Sequence, residues 1–236
     1  MRPWSDRPIQ DCLESLEHLP PQLFRIEPHP YASIGAPYGP GRDPFRLRSG
    51  VVRRLLEAQD QLRNHAPELQ FAIFDAWRPI SVQAFMVNYT IDQLCQERGV
   101  ERHDPAQQAA LHQVEADVAR FWAAPSRNPE TPPPHSTGAA VDLTLATGTG
   151  ALLQMGGDID AIGAISEPDY YASATTTEAQ MFHQRRDLLR SVMASVGFIQ
   201  HPNEWWHYSY GDQLWAWRSG AECAIYAEAG SRSATA

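Results

Sequence analysis

Three short stretches of the chain carry residues whose types and spacing could do chemistry. In HSTGAAVDLTL, entered through Pro132 to Pro134, His135 sits in a glycine-containing turn and Asp142 interrupts an apolar run seven residues later. In EWWHYSY, Glu204 and His207 stand three apart beside Trp205 and Trp206. In FDAWRPISVQAF, Asp75 precedes Arg78 by three. A hydrolytic zinc site takes three N/O protein ligands and keeps a fourth position for water. The metal lowers that water's pKa, and a nearby carboxylate can take its proton and pass it to a leaving amine. His135, Asp142 and His207 as ligands, with Glu204 as base, would meet that need. Arg78, placed where the chain leaves a strand, could stabilise a developing oxyanion, and Asp75 could hold it by a charge-assisted hydrogen bond.

Each part also has a plainer reading. One histidine among nine is usually a surface or hydrogen-bonded core residue. Trp205 and Trp206 bury enough area for core packing to compete with a role as substrate wall. Arg78 alone could be a surface ion-pair residue. The combination carries the hypothesis.

These residues must be positioned by the elements around them. Val51, Val52, Leu55, Leu56 and Leu62 follow helical spacing from Val51 to about His65, with Gln59 as a polar exception, and Pro67 ends that helix. LQFAIFD at 69–75 reads as a strand with Leu69, Phe71 and Ile73 on one side. A helix is expected from about Ser81 to Gln96, just after Arg78-Pro79. Another is marked by Leu111, Val114, Val118, Phe121 and Trp122. AAVDLTL at 139–145 reads as a strand whose alternation puts Asp142 on the face opposite Val141, Leu143 and Leu145. Thr175 and Glu178 have capping-box spacing for a helix ending at Gly197. Short strands at Phe198-Ile199 and about Trp206 to Tyr210 flank the turn His201-Pro202-Asn203.

Residues 1–50 are rich in Pro, Gly and Arg, and HPYASIGAPYGPGRDPF within them reads as ordered loop rather than helix. The spacing of Glu204 and His207 poses a problem, because residues three apart on a regular strand face opposite ways. Glu204 in the turn, with only His207 on the strand, would resolve it. Helices surround a few strands without βαβ alternation, so the fold class is α+β. One domain is expected over 1–228, with a disordered tail at 229–236.

The bulk composition narrows the functions. With 19 Lys and Arg against 28 Asp and Glu, the net charge is −9, and no basic run offers a footprint for nucleic acid. Three cysteines without a CxxC pair argue against a thiolate zinc site or a disulfide framework. The Gly-rich run GTGALLQMGGDIDAIG lacks the GK[ST] of a phosphate loop. No apolar stretch suggests a membrane span, and the first residues lack a signal-peptide core, so a cytoplasmic location is expected.

In this order and separation, FDAWRP, HSTGAAVDLTL and EWWH resemble the VanX-type D-alanyl-D-alanine dipeptidases. These belong to the zinc D,D-peptidase family, whose fold is shared with hedgehog-type domains. The family pattern reads D-x-[YW]-R-P, then S-x-H-x(6)-D, then E-x-W-H. The likeness runs from IGAPYG at Ile34 through the final strands and includes LQMGGDID. It implies a small, mainly antiparallel sheet flanked by helices, and one Zn2+ per chain on His135, Asp142 and His207. It further implies Glu204 as catalytic base and Arg78 as transition-state stabiliser. The implied reaction is hydrolysis of D-Ala-D-Ala to two D-alanines, with a closed pocket that spares longer peptidoglycan peptides. Two rivals are a D,D-carboxypeptidase or endopeptidase on the cell wall, and a non-catalytic zinc-binding domain; retention of both Glu204 and Arg78 speaks against the last. The chain departs from the pattern at Pro133, where the family has serine, and carries Trp77 before Arg78. Pro133 can donate neither a hydroxyl nor an N–H, so the substrate carboxylate must be gripped by other groups.

Overall fold

The computed structural model describes residues 2–229. In chain order its strands are β1 (Leu16–His18), β2 (Phe24–Arg25), β3 (Arg46–Arg48), β4 (Leu69–Asp75), β5 (Ala140–Thr147), β6 (Ile199–Gln200) and β7 (His207–Ser209). Its helices are α1 (Pro30–Ser33), α2 (Ser49–His65), α3 (Ile80–Arg98), α4 (Gln108–Phe121), α5 (Thr177–Ser195) and α6 (Gln213–Ser219). A five-stranded sheet runs β2-β4-β5-β7-β6, and β1 pairs with β3 separately. Only β2–β4 is parallel; the other pairs are antiparallel. This is the α+β arrangement expected.

One apolar cluster joins Val141, Leu143 and Leu145 of β5 and Phe71 and Ile73 of β4 to α2 and α5. A second fills the space between α3 and α4, with Val82, Met86, Val114 and Val118. Asp142 lies on the opposite face of β5 from the first cluster, as period-two alternation requires. The polar exception on α2 has a job: the Gln59 side-chain oxygen accepts a 2.8 Å hydrogen bond from the Phe71 backbone N–H, tying helix to strand.

Three local expectations need correction. The helix α5 starts one residue late, capped by Thr176, whose hydroxyl accepts from Ala179 N–H. The Thr175–Glu178 capping box is therefore not formed, and Glu178 instead sits in the first turn, where a negative charge suits the helix dipole. The stretch HPYASIGAPYGPGRDPF is not all loop, since α1 lies within it, and the first fifty residues hold further elements. They contribute β1, β2, β3 and the single turn α1, which His29 caps by accepting from Tyr31 N–H and Ala32 N–H. At the other end, Ala229 does not behave as the start of a loose tail: it is buried and donates to Ser136 O at 2.8 Å. Residues 230–236 of the expected tail lie outside the described residues.

Candidate metal centre

His135 lies on a 3-10 turn, Pro134–Thr137, that closes at Gly138 in a left-handed conformation (φ 72°). Its Nδ1 donates to the Ala76 carbonyl at 2.7 Å, which fixes the tautomer and leaves Nε2 with its lone pair facing inward. Asp142 and His207 are cross-strand partners on β5 and β7. His135 Nε2, His207 Nδ1 and the Asp142 carboxylate converge, with the ligand atoms all within 4.8 Å of one another. His135 Nε2 is 3.1 Å from His207 Nδ1 and 3.2 Å from Asp142 Oδ2, and His207 Nδ1 is 3.0 Å from Asp142 Oδ1. Burial alone would raise the Asp142 pKa, but the two imidazoles hold it well below the usual carboxylate range.

Glu204 precedes β7 in the turn after Pro202-Asn203, so it escapes strand alternation and approaches the same centre. Its Oε2 is 3.6 Å from His207 Nδ1. Its Oε1, though 3.4 Å from His201 Nδ1, has no hydrogen-bond partner. Burial, reinforced by the negative charge of Asp142, pushes its pKa up to about 8. A cation at the centre would act the other way and favour the carboxylate.

Arg78 is buried and held on several sides. Its Nε and Nη2 donate to Asp75 Oδ2 at 3.0 and 2.7 Å, and its Nη1 donates to Gln83 Oε1 at 2.8 Å. Its Nη2 also lies 3.5 Å from Asp142 Oδ2, and the guanidinium stacks near Tyr31 and Trp122. Asp75 is more than a partner of Arg78. Its other oxygen accepts from Tyr38 OH and from His29 Nε2, which carries the proton because Nδ1 accepts two backbone N–H groups. Burial would raise the Asp75 pKa, but Arg78 and then the His29 hydrogen bond bring it down to about 2.

A small cavity opens on these groups, lined by Arg78, His135, Asp142, Glu204, His207 and Trp206. Of the two tryptophans expected at the site, Trp206 reaches it. Trp205 does not: it is buried in the first apolar cluster, edge-on to Trp206, with the Arg186 guanidinium 5.2 Å from its ring. Sequence spacing missed Asp160, Gln83, Trp122 and Arg2, which also line the cavity beside Phe121, Ala123 and Pro134. Asp160 has a positive φ (68°) and accepts from Tyr31 OH at 2.8 Å. Burial, and next the Asp142 charge, raise its pKa to about 7. The one signal for it in the sequence is its place in LQMGGDID.

Among the described residues, no helix is long and apolar enough to cross a membrane. A family profile described as peptidase M15, D-ala-D-ala dipeptidase, matches residues 25–224. A D-alanyl-D-alanine dipeptidase of Synechocystis sp. is 42% identical over 227 residues, covering 92% of this chain and 90% of that protein. One of Streptomyces coelicolor is 41% identical over 80 residues, 34% of this chain and 37% of its own length. Among solved structures, a mutant of the vancomycin resistance D,D-pentapeptidase VanY in complex with Zn(II) aligns at a TM-score of 0.45 and 17% identity, covering 76% of this chain and 82% of that one.

Proposed function

The chain belongs to the peptidase M15 family of D-Ala-D-Ala dipeptidases, and from that premise we propose that it hydrolyses the free dipeptide D-Ala-D-Ala to two D-alanines. One observation carries the reading: three convergent ligand atoms share a buried cavity with a carboxylate that has an unpartnered oxygen, Glu204 Oε1. Two imidazole nitrogens and one carboxylate are a donor set that suits zinc with a position left open. The pinned tautomer of His135 adds to the fit. One Zn2+ per chain would then be held by His135, Asp142 and His207. When bound it supplies a Lewis acid that polarises the peptide carbonyl and acidifies water.

The chain's own residues do the rest. Glu204 takes the proton of the attacking water as the new C–O bond forms. The peptide carbonyl becomes an oxyanion, and the Arg78 guanidinium, held by Asp75 and Gln83, meets that charge without having to reorganise. As the C–N bond breaks, Glu204 returns the proton to the departing amine. Asp160, at the cavity wall on the Tyr31 side, suits the substrate's free ammonium. Trp122 and Phe121 also line the cavity, and a pocket closed by them would admit a dipeptide and exclude a long stem.

The test is product analysis with zinc-loaded protein offered D-Ala-D-Ala, L-Ala-L-Ala and a stem pentapeptide side by side. Release of D-alanine from the free dipeptide alone is expected. Equal rates on the pentapeptide would favour a D,D-carboxypeptidase instead.

A further inference from the structure

A substrate that ends in a free carboxylate enters a cavity whose wall already holds Asp142, Asp160 and Glu204. A cationic group on the wall would suit that end. Arg78 already has its role: its Nε and Nη2 are on Asp75, its Nη1 is on Gln83, and its remaining N–H groups are assigned above to the oxyanion. Pro133, two residues before His135, offers neither a hydroxyl nor an N–H.

Arg2 is the other guanidinium in the cavity wall. Its Nη2 donates to the Phe121 carbonyl at 3.1 Å, and its Nη1 lies 3.5 Å from His201 Nε2. Those contacts use at most two of the five N–H donors of the side chain. In the ion pairs that the described residues form around the cavity, Arg78, His135, His201 and His207 take part and Arg2 does not.

The segment that carries it is built in. Trp4 is buried edge-on against His201 and packs on Trp217, with the Arg2 guanidinium 5.6 Å from its ring centroid. Farther along, Gln213 donates to the Arg7 carbonyl at 2.7 Å, and Ala224 N–H donates to Pro8 O at 2.8 Å. The segment is thus pinned to the C-terminal part of the chain, and it delivers one cation to the His201 side of the cavity.

We infer that Arg2 is a specificity-determining residue that grips the free C-terminal carboxylate of the substrate. This rests on the dipeptidase reading above. A guanidinium fork matches a carboxylate in two parallel hydrogen bonds, and partial burial strengthens them. With Asp160 at the ammonium end and Arg2 at the carboxylate end, the scissile carbonyl is left between them, beside Arg78 and Glu204. The cavity thereby reads both charged ends of a free dipeptide.

The experiment compares wild type, Arg2→Met and Arg2→Lys, at verified equal zinc content, on D-Ala-D-Ala and on its C-terminal amide. Wild type should prefer the free acid. Arg2→Met should lose roughly 10- to 100-fold in kcat/KM on the free acid, mainly through KM, and little on the amide, as expected for one charge-assisted contact. Arg2→Lys should recover part of the loss. Calorimetric binding of the free dipeptide to Glu204→Gln, with and without Arg2→Met, should show the same weakening without turnover. Unchanged preference for the free acid in Arg2→Met overturns the inference, as does an equal loss on both substrates, which would make the segment merely structural. Wild type that neither binds nor cleaves the dipeptide removes the dipeptidase reading, and this inference with it.

Discussion

Asp75 lies directly across from Asp142 on the β4–β5 pair because the ladder admits one extra residue, Phe74, between Ile73 and Asp75. Strict alternation would have put Asp75 with Phe71 and Ile73, on the face that builds the first apolar cluster. The bulge re-aims it, as bulges beside functional sites commonly do. Two carboxylates then face one another, and Arg78 Nη2 reaches both, at 2.7 Å and 3.5 Å. The same irregularity that lets β4 end creates the socket for the guanidinium.

Asp75→Asn should therefore cost more than an orienting contact. It leaves the buried Arg78 charge without its main counterion and disturbs the hydrogen bonds from His29 and Tyr38. Breaking one side of a buried pair typically costs about 3–5 kcal/mol. Urea unfolding of wild type and variant under identical zinc conditions measures it. A loss of under about 0.5 kcal/mol, the scale of an ordinary surface change, would mean that Asp75 is not the hub described here.

Metal content offers an independent check. Wild type should bind one zinc per chain, and His135→Ala, Asp142→Ala and His207→Ala should each lower occupancy, because three ligands leave none to spare. Quantitative elemental analysis after dialysis against dilute chelator reads this directly. Full retention in His207→Ala would take that residue out of the ligand set.

Much of this site is legible in the sequence, for a definable reason. His135, Asp142, Glu204 and His207 sit in short blocks whose local geometry follows from turns and period-two strands, so their convergence needs only the correct pairing of β5 with β7. The turn residues Pro202-Asn203 already allow Glu204 to leave the strand pattern. What local pattern does not convey is long-range. Asp75 depends on a bulge that no residue type announces, and His29, Tyr31 and Tyr38 reach the site from a segment that reads as loop. Trp205 and Trp206 look equivalent in sequence, yet one lines the cavity and the other packs under Arg186. The start of α5 differs by one residue because adjacent threonines offer two possible caps.

The turn that carries His135 makes a further prediction. Gly138 has φ 72°, and a Cβ there would lie 2.4 Å from a Leu16 methyl, which would have to turn aside. Gly138→Ala should therefore destabilise the fold by about 1–3 kcal/mol, from the left-handed backbone plus the clash. It should also weaken zinc binding, since the turn fixes the His135 ring. Thermal unfolding with and without zinc separates the two effects. A variant as stable as wild type and equally zinc-replete would show that the turn tolerates a side chain.

The last prediction divides chemistry from metal binding. Glu204 is proposed as a base and not a ligand, so Glu204→Gln should keep zinc and the fold. The amide has nearly the same shape but cannot accept the water's proton, and general base catalysis contributes about 10²–10⁴-fold. Arg78→Ala should lose oxyanion stabilisation, about 10²–10³ in rate. It should also lower stability, because Asp75 would be left buried beside an empty space. The Arg78→Lys variant distinguishes these effects: one ammonium can neutralise Asp75 yet cannot span Asp75 and Gln83 as the fork does. It should refold better than Arg78→Ala while remaining slow. The measurement is kcat on D-Ala-D-Ala for all three variants at equal zinc content, with unfolding midpoints alongside. A non-catalytic zinc domain would show no turnover in wild type and none to lose. Turnover by Glu204→Gln within a few-fold of wild type would leave the proton transfers without their proposed carrier, and the mechanism would have to be abandoned.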